Sequence, residues 1–205
     1  MELIKRNSHG NQLAVYRSND SLTYRKVALS PEANHLLVAE NQGYAWSSVE
    51  TFIKKDENGN YTLTIPTFIG KTFPQYNGIT GNEEWILKLV QFYKDKWSKD
   101  KFCIHGDLCL CNIIFGDNDK VNIVDWEHFH YASRDYFGFD IMNMLFIHLQ
   151  YEYRYWSYLG FNWIPFVKQQ HRDLIFKCHR ILGDNGFLRQ PFTNSAWYIA
   201  KYMSK

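Results

Sequence analysis

Residues 105–127 read HGDLCLCNIIFGDNDKVNIVDWE, and the rest of the chain has to be understood around them. A turn is predicted at Gly116 to Lys120, where Gly, Asp and Asn cluster between two apolar runs. Pairing Phe115 with Val121 sets Ile114 beside Asn122, Ile113 beside Ile123 and Asn112 beside Val124, so that Asp125 emerges next to Asn112. Asn and Asp side chains offer hard oxygen ligands, suited to magnesium and not to a soft metal. Asp107 stands on a short loop before Asn112 and brings a third oxygen-bearing group to the same point. A magnesium site with a spare carboxylate is what phosphoryl transfer requires, the carboxylate accepting the proton of the attacking hydroxyl. The competing reading is a polar-ended hairpin with solvated carboxylates.

The full pattern is His-Gly-Asp, four residues, Asn, and then apolar-Asp-Trp-Glu. It resembles the catalytic and metal loops of the aminoglycoside phosphotransferase and choline kinase superfamily, relatives of the protein kinases. The resemblance implies an α+β, protein-kinase-like fold of two lobes. Residues 1–68 would form a small antiparallel-sheet lobe with one helix, and residues 69–205 a mainly helical catalytic and substrate lobe. It further implies ATP and Mg2+ as cofactors, Asp107 as catalytic base, and Asn112 and Asp125 as the metal ligands. His105 would prop the loop. Asp140, in "FGFDIMNML", would open the following helix and tie it to the catalytic loop. Glu127 is open between a supporting or substrate-side carboxylate and surface decoration.

Toward the N-terminus, "LIKR", "LAVYR" and "LTYRKVAL" read as three strands of an antiparallel meander. The loop "NSHGNQ" between the first two offers Ser8, His9 and Gly10, whose backbone N–H groups suit phosphate. On the third strand Lys26 is the candidate phosphate-binding lysine, with Arg25 the rival if the register slips by one. "SPEANHLLVAE" starts a helix, with Pro in the first turn. Glu32 is placed to pair with Lys26, and Glu40 is the alternative farther along. "ETFIKK" and "YTLTIPTFIG" flank "DENGN", whose Asn-Gly is a hairpin signal. Pro66 puts the second of these strands at an edge or marks where it leaves the sheet. The strand-to-hinge resemblance assigns the adenine contact to backbone at Pro66, Thr67 and Phe68. Helices are predicted in "GNEEWILKLVQFYKDKW", "DIMNMLFIHLQYEYRYW", "PFVKQQHRDLIFKCHRIL" and "SAWYIAKYM".

Composition narrows the function classes. The chain has 205 residues, of which 45% are hydrophobic, enough for a real core. A formal charge of +2 leaves no basic field for nucleic acid. No apolar run reaches the length of a membrane span, and the start "MELIKRNSHG" lacks a signal-peptide core, so a cytoplasmic, reduced protein is expected. Cys103, Cys109 and Cys111 cluster around His105, but C-x-C is a poor tetrahedral chelate and no second ligand pair follows. The interval from Asp125 to Asp140 is too short for a long peptide-docking activation loop. The expected partner is therefore a small hydroxylated acceptor, a saccharide or amino-alcohol, with a compact protein kinase as the alternative. Oligomeric state leaves no sequence signal.

Overall fold

Strand and helix boundaries follow the side-chain periods of the sequence. The computed structural model describes residues 1–6, 12–74, 78–97, 102–117, 120–152 and 168–183. It is a mixed α/β protein with a five-stranded antiparallel sheet and several helices. The chain divides into two compact units, Met1–Lys71 with Ile114–His130, and Thr72–Ile113 with Tyr131–Lys205. The hairpin segment Ile114–His130 clusters with the N-terminal strands.

In the first unit, β1 (Glu2–Arg6), β2 (Leu13–Arg17), β3 (Thr23–Ala28), β4 (Phe52–Lys55) and β5 (Tyr61–Pro66) form the sheet in the order β1-β2-β3-β5-β4. β5 is internal and β4 is the edge. Of the two readings of Pro66, departure from the sheet is the one realised: it is the last residue of β5, opposite Thr23, where its missing N–H costs no further ladder bond. The β4–β5 turn is built by Asp56, whose Oδ1 accepts from Asn58 N–H and Asn60 N–H at 2.9 and 2.8 Å. Gly59 takes the left-handed φ of 85° that the turn needs.

Between β3 and β4, Pro31–Ala33 form a 3-10 turn that leads into α1 (Asn34–Trp46). Helical spacing lines up Leu36, Leu37, Glu40, Gly43 and Tyr44 as the buried stripe of α1. Asn34 fastens the helix start to the hairpin, donating to Gly59 O at 2.9 Å and accepting from Tyr61 N–H at 2.8 Å. The unit is completed by the hairpin of β7 (Ile113–Phe115) and β8 (Val121–Ile123). Gly116 N–H donates to Lys120 O at 2.8 Å, the closure expected for the Phe115–Val121 register. Phe115 and Lys71 exchange backbone hydrogen bonds of 2.8 and 3.0 Å. Gly70 permits this approach, since a Cβ there would lie 2.3 Å from Phe115 O.

In the second unit, α2 (Glu83–Trp97) buries Ile86, Leu89, Val90, Tyr93 and Trp97 on one face. Each such large apolar side chain contributes about 1.5–3 kcal/mol on burial. Tyr93 stacks on Trp97 with centroids 4.6 Å apart, and Trp97 Nε1 donates to Cys103 O at 3.0 Å. That bond fixes β6 (Cys103–Ile104), which leads into the His105 loop. Beyond β9 (His130–Tyr131), Ala132 N–H returns to Phe102 O at 3.2 Å. α3 (Phe139–Glu152) and α4 (Gln169–Leu182) follow, and α4 packs on α2. The expected helix "SAWYIAKYM" lies outside the described residues. No helix among the described residues is long and apolar enough to cross a membrane.

Candidate active site

The first unit brings four charged groups to one point beneath its sheet. Alternation along β3 sends Lys26 to the α1 side, opposite Val15 and Leu63 on its neighbours, and leaves Arg25 exposed on the other face. Of these two cations Lys26 is the inward-facing one and is only 9% exposed. Its Nζ lies 2.8 Å from Glu40 Oε1, 2.5 Å from Asp125 Oδ1 and 3.0 Å from Glu127 Oε1. Glu40 comes from α1, and Asp125 and Glu127 from the chain leaving β8. Oxygens of these three carboxylates all lie within 4.8 Å of one another.

A tryptophan plants two of them. Trp126 is fully buried, donates its Nε1 to Ile123 O at 2.9 Å, and sits 5.8 Å from both Trp46 and Phe129, ring centroid to ring centroid. Its indole lies directly on α1 at Gly43, where a Cβ would come within 2.6 Å of it. With the indole anchored, its neighbours Asp125 and Glu127 are delivered to Lys26. Asp125 takes a left-handed φ of 66°, a strained conformation that Asp tolerates better than most residues.

The charges do not cancel, because three carboxylates share one ammonium. Burial alone would lower the Lys26 pKa, but Glu40, Asp125 and Glu127 outweigh it and hold the ammonium well above the ordinary lysine range. Glu40, fully buried, is pushed up to about 7 by desolvation, against the pull of Lys26. Its Oε2 has no hydrogen-bond partner.

Glu32, expected to pair with Lys26, lies in the 3-10 turn before α1 and is exposed, with a carboxyl held below its ordinary pKa by Ser30. Glu40 is the partner, because helical spacing from Leu36 and Leu37 puts residue 40 on the stripe that faces the sheet. That spacing is the sequence signal by which it could have been ranked first. Ser8, His9 and Gly10 lie outside the described residues. Pro66, Thr67 and Phe68 follow one another off the end of β5. Thr67 N–H is already committed to Leu22 O at 2.9 Å and its hydroxyl to Ser21 O at 2.8 Å, while Phe68 stacks on Tyr44 at 6.3 Å.

The second unit holds the other half of the expected residues. Asp140, fully buried in the first turn of α3, accepts from His105 N–H at 2.9 Å through Oδ2 and from Gly106 N–H at 3.0 Å through Oδ1. Gly106 adopts a φ of 87°, which a side chain would strain. His105, also buried, accepts Asp107 N–H on Nδ1 at 3.3 Å, so its ring proton resides on Nε2. Asn112 donates its amide to Asp107 O at 2.9 Å, leaving Oδ1 as the oxygen suited to a hard cation. It ends a 3-10 turn, Leu110–Asn112, instead of extending β7. His148, which the sequence reading did not single out, accepts Leu110 N–H at 2.8 Å on Nε2, and so braces the loop from about two turns along α3. Asp107 itself is half-buried.

Cys109 and Cys111 place their sulfurs 2.8 Å apart as free thiols, and Cys111 adds a weak contact to Asn112 Oδ1 at 3.8 Å. Hydrogen bonding to Cys111 and burial push the Cys109 thiol far up. Burial likewise lifts Cys178 to about 12, so it is an inert core thiol.

The first unit thus offers a buried ammonium ringed by carboxylate oxygens, and the second a half-buried carboxylate, Asp107, whose backbone carbonyl accepts from Asn112. No family model matches the chain, and no curated protein matches it. Among solved structures it is similar to the aminoglycoside phosphotransferase APH(3'')-Id from Streptomyces rimosus ATCC10970. The two share 14% identity with a TM-score of 0.44, over 88% of this chain and 92% of that one. A likeness at that level assigns no family.

Proposed function

We propose that this chain is an ATP- and Mg2+-dependent phosphotransferase that moves the γ-phosphate to a hydroxyl of a small molecule, a saccharide or amino-alcohol. The observation that carries this reading is the Lys26 ammonium, buried on an internal strand, paired with Glu40 and converging with Asp125. A buried cation fixed by a helix carboxylate, with an aspartate beside it, suits the binding of a phosphate chain and its metal. Lys26 then holds phosphate oxygens. Asp125 would serve as a metal ligand, as would the Oδ1 of Asn112, and magnesium bound by them would supply charge neutralisation on the phosphates. Asp107 accepts the proton of the acceptor hydroxyl, which raises its nucleophilicity as the oxygen attacks. Asp140 and His148 hold the loop that carries Asp107.

The test is a screen of sugars, aminoglycosides and amino-alcohols for magnesium-dependent ATP consumption, followed by Asp107→Ala on whichever acceptor responds. Loss of a general base should lower kcat by about 100-fold or more. Undiminished transfer by the variant would reject Asp107 as base, and label from ATP appearing only in protein would reject the small-molecule acceptor.

A further inference from the structure

Lys26 has more carboxylate partners than an ion pair needs, and they differ in their freedom to leave. Glu40 is fully buried on the face of α1, and Glu127 is only 6% exposed, held next to the anchored Trp126. Asp125 has 44% of its side chain exposed and sits on strained, left-handed backbone, yet it too is spent on Lys26. Were Asp125 to turn to a cation, the ammonium would keep two buried carboxylates, one from the helix and one from the loop. From this division we infer that Glu127 is a positioning residue. Together with Glu40 it fixes Lys26 in place, so that Asp125 alone is the exchangeable partner, free to bind metal without releasing the lysine.

The inference rests on the phosphotransferase reading for its purpose but not for its geometry. A purely structural Glu127 would pack and do no more, and a metal-ligating Glu127 would leave Lys26 alone. Both alternatives make different forecasts.

The experiment compares wild type with Glu127→Gln, which keeps the shape and removes the charge. In nucleotide-free protein, acylation of Lys26 by an amine-reactive ester is followed by mass spectrometry, with exposed Lys54 as internal reference. Loss of the carboxylate charge beside the ammonium should raise Lys26 labelling by about tenfold or more and leave Lys54 unchanged. In turnover, the KM for ATP should rise by a similar factor with the magnesium requirement unaltered. Lys26 labelling equal to wild type overturns the proposal, as does a raised magnesium requirement at unchanged KM for ATP. If Glu127→Gln fails to accumulate as folded protein, Glu127→Asp serves the same measurements, because it withdraws the carboxylate from its 3.0 Å contact. Absence of turnover in the wild type would sink the phosphotransferase reading, while the labelling result would still decide the role of Glu127.

Discussion

Gly43→Ala gives a prediction whose sign separates two effects. Alanine is the better helix former by about 1 kcal/mol, so on α1 alone the substitution should stabilise. The structure argues the reverse. An added Cβ would lie 2.6 Å from Cβ, Cγ and Cδ2 of Trp126 together. Carbon atoms in contact prefer about 3.5–4.0 Å, so the indole must retreat by about 1 Å. It has nowhere to go, being fully buried, tied by Nε1 to Ile123 O and flanked by Trp46 and Phe129. Overpacking typically costs about 1–3 kcal/mol, and a clash with one rigid ring belongs at the upper end. Net destabilisation of about 2 kcal/mol is expected after the helix gain is subtracted, which for a chain of this size lowers the melting midpoint by about 4–8 °C. The assay is thermal unfolding followed by far-UV circular dichroism. Gly81→Ala is the control, a site where an added Cβ meets nothing within 4 Å and only the left-handed φ of 79° is strained. A Gly43→Ala midpoint at or above wild type would show that the indole does not rest on the helix, and the account of how Asp125 and Glu127 are planted would fall with it.

Further outcomes follow from the same geometry. Asp140→Asn should cost about 2–4 kcal/mol in urea unfolding, since one amide hydrogen must then face a backbone N–H of His105 or Gly106; an unchanged midpoint contradicts the paired acceptance. Glu32→Ala should stay within about 0.5 kcal/mol of wild type, being exposed, whereas Glu40→Ala should expose Lys26 to acylation; equal effects from the two would return the choice between them to open. Glu40 also makes a pH forecast. Its pKa rises on folding from 4.5 to about 7, so the folded state binds that proton more tightly than the unfolded chain. The stability it contributes is complete below pH 4.5 and is lost as pH rises through about 7. The wild-type advantage over Glu40→Gln in urea midpoint should therefore shrink between pH 4.5 and 7 and level off above; a growing advantage refutes the assignment.

Much of the fold was legible because it depends on neighbours in sequence. β2 spans the run "LAVYR", the Asp56 turn uses the Asn-Gly signal, and α2 carries the apolar spacing of a half-buried helix. The Gly116–Lys120 turn closes where its composition placed it. Local propensity and period suffice for such features. What failed was the choice of Glu32 over Glu40, and proximity in sequence misled there: Glu32 is nearer to Lys26 along the chain, but the helix face, not the chain distance, selects its partner.

By itself the sequence determined which residue types stand where: strands that pair through short turns, a hairpin that leads on to Asp125, and the string His-Gly-Asp to Asn that marks a loop. Only the tertiary structure decided which carboxylate meets Lys26, that Glu127 joins it, that Asp140 holds the backbone of His105 and Gly106, and that His148 braces Leu110. Those contacts join residues 14 to 101 positions apart, counted from Lys26–Glu40 to Lys26–Glu127. They are set by the packing of one element on another, as with Trp126 against Gly43, where the absence of a single methyl group on a helix lets the ring and its two flanking carboxylates come to rest.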